Sequence, residues 1–158
     1  MTRFRRLGIA RLVAGLGVFA MVAWVSASNQ VSACESRPFA EAKVPGDPRL
    51  WLELALTAEQ QTRGLMFRQT MPNDLGMLFV FGERTGGAFW MRNTLIPLSI
   101  AYIDSDGTIL DMQDMQPQSD EPHFPAKPYW YALEVNQGWF AANGVTAGNV
   151  FALCLPLS

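Results

Sequence analysis

Two groups of side chains in this sequence could take part in chemistry directly, and a third could hold a ligand. The first is acidic. Glu134 stands in Leu133-Glu134-Val135-Asn136. As a general base, with Asp104 or Asp111 as a second carboxylate, it could support hydrolysis. The second is soft. Met112-x-x-Met115, with His123 not far behind, offers thioethers and an imidazole to a copper(I) ion. Methionine is equally an ordinary filler of apolar gaps. The third group is polar or amphipathic: Arg68, Trp90, Arg92, Asn93, Thr94, Glu134 and Asn136. Trp90 could stack on a ligand while Arg68, Asn93 and Glu134 converge on it with hydrogen bonds, which suits a sugar, a peptide or a carboxylate fragment. The same residues have a structural reading. Asn93 and Thr94 can bond backbone groups in a turn before Pro97, and Arg68 with Glu134 could form an ion pair that locks the fold.

Other chemistries lack their parts. There is no Gly-x-Ser-x-Gly, and the single histidine, His123, lies between Pro122 and Pro125 in an expected loop. Isolated glycines fit turns rather than a phosphate loop or a dinucleotide fingerprint. Asp104-x-Asp106-Gly107 matches the start of a calcium loop but lacks its third ligand and closing glutamate, and a hairpin turn accounts for all of it. No cofactor is expected.

The elements that must position these residues are short. Leu50–Leu56, Gly76–Phe81, Ala88–Met91, Leu98–Ile103, Thr108–Met112, Trp130–Val135 and Asn149–Cys154 read as extended segments. Asp104 to Gly107 turns the fourth into the fifth. Thr57 with Gln60 three residues on forms a capping box, so a short helix starts there, and Gly64 ends it. The fold class is therefore mainly β, a compact single-domain sandwich or barrel-like fold with one or two short helices. Met71–Asp74 and the proline-rich stretch from Pro117 to Pro128 read as mobile loops.

At the N-terminus, Arg3, Arg5, Arg6 and Arg11 precede an apolar run from Leu12 to Val25, and small residues follow. This is the order of a signal peptide, with a membrane anchor that is never cleaved as the alternative, and the run is short for a bilayer-spanning helix. The expected organisation is a leader over 1–33, a flexible tether over 34–49 rich in proline, and a β domain over 50–158. The protein is expected to be exported to the periplasm or the periplasmic face of a membrane. Val31-Ser32-Ala33-Cys34 serves either as a signal-peptidase site or as a lipobox that leaves a lipid on Cys34. In an oxidising compartment Cys34 could instead pair with Cys154. Beyond Cys34, eight basic residues face fourteen acidic ones, a formal charge of −6. That balance disfavours nucleic acid and anionic membrane surfaces. Membrane contact is expected only through the leader or a lipid, and the domain is expected to be a monomer.

Gly64-Leu65-Met66-Phe67-Arg68, Gly76-Met77-Leu78-Phe79, Phe89-Trp90-Met91-Arg92-Asn93-Thr94-Leu95-Ile96-Pro97-Leu98 and Leu133-Glu134-Val135-Asn136-Gln137-Gly138 follow one another, with Gly144 and Gly148 later. In that order they resemble the bacterial and archaeal family known as domain of unknown function 192. The resemblance implies a compact, mostly β fold, often behind an export signal, and assigns no biochemical role. Members usually carry Asp where this chain has Ser99, and many carry Asp where it has Asn149. A mechanism resting on those carboxylates would not operate here.

The leading expectation is thus an exported binding or interaction module for a small polar ligand, a peptide or an envelope protein. Its alternatives are a carboxylate-dependent hydrolase acting through Glu134 and a purely structural envelope protein. A hydrolase needs Glu134 in a concavity beside a second carboxylate. A binding module needs Trp90 and Asn93 on a cleft, and a structural role needs Arg68 on Glu134 with no cleft.

Overall fold

The computed structural model describes residues 40–43 and 49–154. The strands are β1 (Ala40–Lys43), β2 (Arg49–Ala55), β3 (Leu75–Thr85), β4 (Leu98–Ile103), β5 (Ile109–Met115), β6 (Tyr129–Asn136) and β7 (Ala152–Cys154). Helix α1 (Ala58–Arg63) follows β2 and α2 (Trp139–Ala142) follows β6. The strands form one sheet in the order β5-β4-β6-β3-β2-β1-β7. β2 and β3 run parallel, as a crossover through α1 requires, and the other pairs are antiparallel. The two edges approach at an isolated bridge between Thr108 and Val150, and the sheet is not closed into a barrel.

Both faces of the sheet are covered, which explains the unbroken apolar runs in β3 and β4. Side chains alternate across it. Leu50 and Leu52, Leu78, Ala101 and Ile103, and Leu133 and Val135 pack on one face with Trp139, Phe140 and Phe151. Met77 and Phe79, Ile100 and Tyr102, and Ala132 pack on the other with Leu65, Met91 and Ile96. Glu134 belongs by alternation to this second face.

Local signals placed most elements. The Thr57 hydroxyl accepts from the Gln60 amide, and the Gln60 side chain accepts from the Thr57 amide. Gly64 caps α1 at φ +45°. In the β4–β5 turn the Gly107 amide donates to the Asp104 carbonyl.

Two segments differ from expectation, and the second of the short helices had no position assigned to it from sequence. Strand β1 lies inside the span read as a tether and pairs with β2 and β7, so sheet pairing claims residues whose prolines suggested none. Ala88–Met91 forms no strand, and only Phe89 bridges to His123. Helix α2 is a single turn of four residues, too short for a periodic signal. Among the described residues no helix is long and apolar enough to cross a membrane. The leader, Cys34 and the side chain of Cys154 lie outside the described residues.

Gly107 shows how tightly the sheet edges meet. At φ +87°, a Cβ there would stand 2.2 Å from the Phe151 carbonyl oxygen. Gly82 has open space around it. Gly107→Ala is expected to cost about 2 kcal/mol or more, and Gly82→Ala about 0.5 kcal/mol or less. Urea unfolding midpoints of the two variants check the contrast, and equal midpoints would refute it.

Candidate functional site

Glu134 sits in the middle of the sheet. Its register partners are Met77 on β3 and Ile100 on β4, so its side chain enters the second apolar face between two hydrophobes. The residue is only 4% exposed. Among the described residues its carboxyl group has no hydrogen-bond or ion-pair partner, and burial alone pushes its pKa up to about 8.

Above Glu134 opens a cleft of about 320 Å³, within the size range of small-ligand sites. Its walls come from α1, the Gly64–Met66 turn, β3 and the Gly87–Trp90 segment, with Thr94, Tyr129 and Glu134 completing them. Five of the lining residues are aromatic: Phe79, Phe81, Phe89, Trp90 and Tyr129. Phe79 meets Phe89 edge-on at 4.9 Å, and Phe81 meets Tyr129 at 5.4 Å. The Tyr129 hydroxyl donates to the Gly87 carbonyl at 2.9 Å, and burial pushes its pKa up to about 12, so it stays neutral. These contacts hold the Gly87–Trp90 segment over the sheet.

Backbone bonds then tie this segment to its neighbours. Phe89 and His123 exchange amide bonds, Met91 donates to Ser119, Gln118 donates to Thr94, and Phe67 donates to Asn93. Phe67, Asn93 and Gln118 all hold left-handed backbone, at φ +64°, +59° and +58°. For a bulky residue such as Phe67 that conformation costs on the order of 1–2 kcal/mol. The stretch from Pro117 to Pro128, read from sequence as a loop, is therefore stitched to the cleft wall.

The structure sorts the sequence candidates. Trp90, Thr94 and Glu134 line the cleft. Trp90 is 48% exposed, and the Arg92 guanidinium lies 4.7 Å from its ring centre. Arg92 also bonds Asp120 at 2.6 Å. Asn93 does not line the cleft; its backbone carbonyl receives the Phe67 amide. Asn136 donates to the Met71 and Pro72 carbonyls, pinning the turn before β3. It borders a different hollow, beside Trp139 and Asn143.

The ion pair expected between Arg68 and Glu134 is not formed. Arg68 bonds both carboxylate oxygens of Glu53. Glu53 lies in the same cross-strand row as Glu134, on the far side of Met77. A guanidinium fork matches both oxygens of a half-exposed carboxylate, which spares it burial beside Glu134. The pairing lowers the Glu53 pKa and raises that of Arg68. Glu53 is the partner that sequence reasoning missed, although its place between Leu52 and Leu54 puts it on the face opposite those two.

The second carboxylates are also elsewhere. Asp104 lies four residues past Ile100 on the β4 side, about 13 Å along the strand, and faces Arg84 at 3.7 Å. Asp111 accepts bonds from the Met112 and Ala126 amides and the Gln113 side chain. The copper reading is corrected by strand alternation. Met112 packs against the first core and Met115 is buried in the second, so their sulfurs point to opposite faces. The His123 ring meets Gln113 at 3.2 Å. Among the described residues no group of three or more His, Cys, Asp or Glu could hold a metal. Ser99 and Asn149 make structural bonds. The Ser99 hydroxyl donates to Asp114 and accepts from the Gly138 amide, and the Asn149 side chain accepts from the Thr146 amide.

Glu134 makes stability depend on pH in a definite direction. Its folded pKa lies above the ordinary carboxylate value, so between that value and about pH 8 the folded state holds the extra proton. Stability contributed by the protonated group is therefore full below the ordinary carboxylate range and is lost as pH rises toward 8. The expected slope is about 1.4 kcal/mol per pH unit at most. Glu134→Gln should remove it, so the difference in urea midpoint between variant and parent should grow from pH 5 to pH 8. A constant difference across that range would contradict the assignment.

A comparison with curated proteins finds no match. The solved structures that share the fold include the following two. One is from Sinorhizobium meliloti 1021, and its description suggests a transcription regulator. It is 35% identical, has a TM-score of 0.68, and the match covers 73% of this chain and 92% of that one. The other is a protein of unknown function from Novosphingobium aromaticivorans DSM 12444, 31% identical with a TM-score of 0.65, covering 72% of this chain and 82% of that one. The model of the family DUF192, described as an uncharacterized ACR, matches residues 40–153. That span contains every described element up to the last residue of β7, so the chain belongs to the domain-of-unknown-function 192 family.

Proposed function

We propose that this protein is a binding module whose cleft over Glu134 takes a small polar ligand or the end of a peptide. The reading rests on Glu134: the residue is buried, its carboxyl group has no partner among the described residues, and it reaches an open, aromatic-lined cleft. A buried polar group left unpaired is costly unless something else pairs it. Trp90 supplies a stacking surface at the mouth and Thr94 a buried hydroxyl beside it. A hydrolase would want a second carboxylate near Glu134, and the acid sharing its row, Glu53, is engaged by Arg68. A purely structural role would want Glu134 paired.

The reading places the module outside the cytoplasm, in the periplasm or at its membrane face, as a monomer held by its leader or by a lipid on Cys34. The support is the order of arginines, apolar run and small residues at the N-terminus. The suggestion attached to the Sinorhizobium meliloti protein is not carried over, because eight basic against fourteen acidic residues beyond Cys34 suit nucleic acid poorly. Intact mass of membrane and soluble fractions tests the placement. A chain of full mass in the cytosolic fraction would refute export.

The binding reading is tested by a thermal-shift screen of small polar compounds against the purified full chain. Ligands of the cleft should raise the parent's melting temperature by several degrees at saturating concentration. They should lose that effect in Trp90→Ala and in Glu134→Gln. If every hit acts equally on parent and both variants, the cleft is not the site.

A further inference from the structure

We infer that the cleft receives an organic cation, an amine or guanidinium head, with Glu134 as its counter-ion and the surrounding rings as its walls. This deepens the proposed function and rests on the cleft being a ligand site.

The geometry argues for a cation in three steps. First, the polar group at the sheet end of the cleft is an acid that no cation among the described residues neutralises. Arg68 is bound to Glu53, Arg92 lies on Trp90 and Asp120, and Arg63 is an exposed residue at the end of α1. Second, aromatic faces attract cations through their quadrupoles, most strongly where water is excluded. Phe79, Phe81, Phe89, Trp90 and Tyr129 all contribute to the wall. Arg92 on Trp90 already shows one such contact within the protein. Third, an anionic ligand would find Arg63, on the outer wall, as the one basic residue of the lining and no charge to pair with on the protonated Glu134.

The groups facing Glu134 from the surrounding elements can be counted. β3 presents Met77 and Phe79, and β4 presents Ile100 and Tyr102. The Tyr102 hydroxyl donates to the His123 carbonyl, and its pKa is raised by burial, so it remains neutral. Tyr129 is likewise neutral and bonded to Gly87. Thr94 and Trp90 close the loop side, and Arg63 supplies the one charge on the α1 side. In the empty cleft Glu134 holds its proton near neutral pH. A cation must therefore displace that proton, and binding strengthens as pH rises toward 8.

Two-dimensional NMR on the isotope-labelled full chain tests this with three probes that share one ring: benzylammonium, benzyl alcohol and benzoate. Benzylammonium is expected to shift the amides of Gly87–Thr94 and Leu133–Val135, with an affinity at least tenfold above that of benzyl alcohol. Benzoate is expected to leave them unmoved. The benzylammonium affinity should climb about tenfold from pH 6 to pH 7 and flatten near pH 8, while that of benzyl alcohol stays level. Glu134→Gln should bring the benzylammonium affinity down to that of benzyl alcohol. The wild-type pH profile keeps the test decisive even if the variant fails to fold. If benzyl alcohol or benzoate binds the cleft as tightly as benzylammonium, the cation is wrong and the binding module stands. If none of the three, and no compound in the thermal-shift screen, touches the cleft, both fall together.

Discussion

A carboxyl group in an apolar row of a central strand is the constraint around which this molecule is arranged. Strand pairing on both sides holds Glu134 between Met77 and Ile100, so backbone hydrogen bonds decide where it lies. Desolvating its charged form costs on the order of several kcal/mol. The usual remedies are a neighbouring cation or a cluster of amide donors, and neither is found among the described residues. The protein instead keeps the group protonated and leaves it a face on a cleft. A site that meets its ligand with a poorly solvated group holds part of its binding energy in reserve, because the ligand relieves a defect already present in the folded state.

The loops around the cleft show a complementary economy. The Phe-Trp-Met-Arg-Asn-Thr segment from Phe89 to Thr94 has no ladder of its own, yet the turn after α1 and the proline-rich stretch donate to or accept from it at Phe89, Met91, Asn93 and Thr94. Phe67, Asn93 and Gln118 hold left-handed backbone within those same segments. Strain of that kind persists only where surrounding bonds over-determine it. It leaves the mouth of the cleft preformed, so a ligand need not order a loop when it binds.

Much of this was legible in the sequence, and the failures have physical causes. The capping box at Thr57 and the Asp104–Gly107 turn are local devices, and both stand as read. The β3, β4 and β6 runs were clear because strands buried on both faces are continuously apolar. β1 was hidden because four residues among prolines acquire strand character only by pairing, with β2 just after them and with β7 at the far end of the domain. Glu134 and Trp90 were singled out as unusual residues in distinctive blocks, and they do share a cleft. Asn93 and Asn136, chosen on the same grounds, serve the backbone instead. The partner of Arg68 could not be read, since it depends on which two strands flank β3. Met112 and Met115 needed only the alternation rule: at an offset of three, two residues of one strand face opposite ways.

The arrangement turns on a Glu134 that is buried, has no partner among the described residues and reaches the cleft. Carbon-13 NMR of the side-chain carboxyl group of Glu134, followed through a pH titration of the intact protein, tests it most directly. A midpoint near pH 8 is expected for the protein without ligand, moving downward when a cation occupies the cleft. A midpoint in the ordinary glutamate range, about 4, in the empty protein would mean that the carboxylate is solvated or already paired, and would contradict the account.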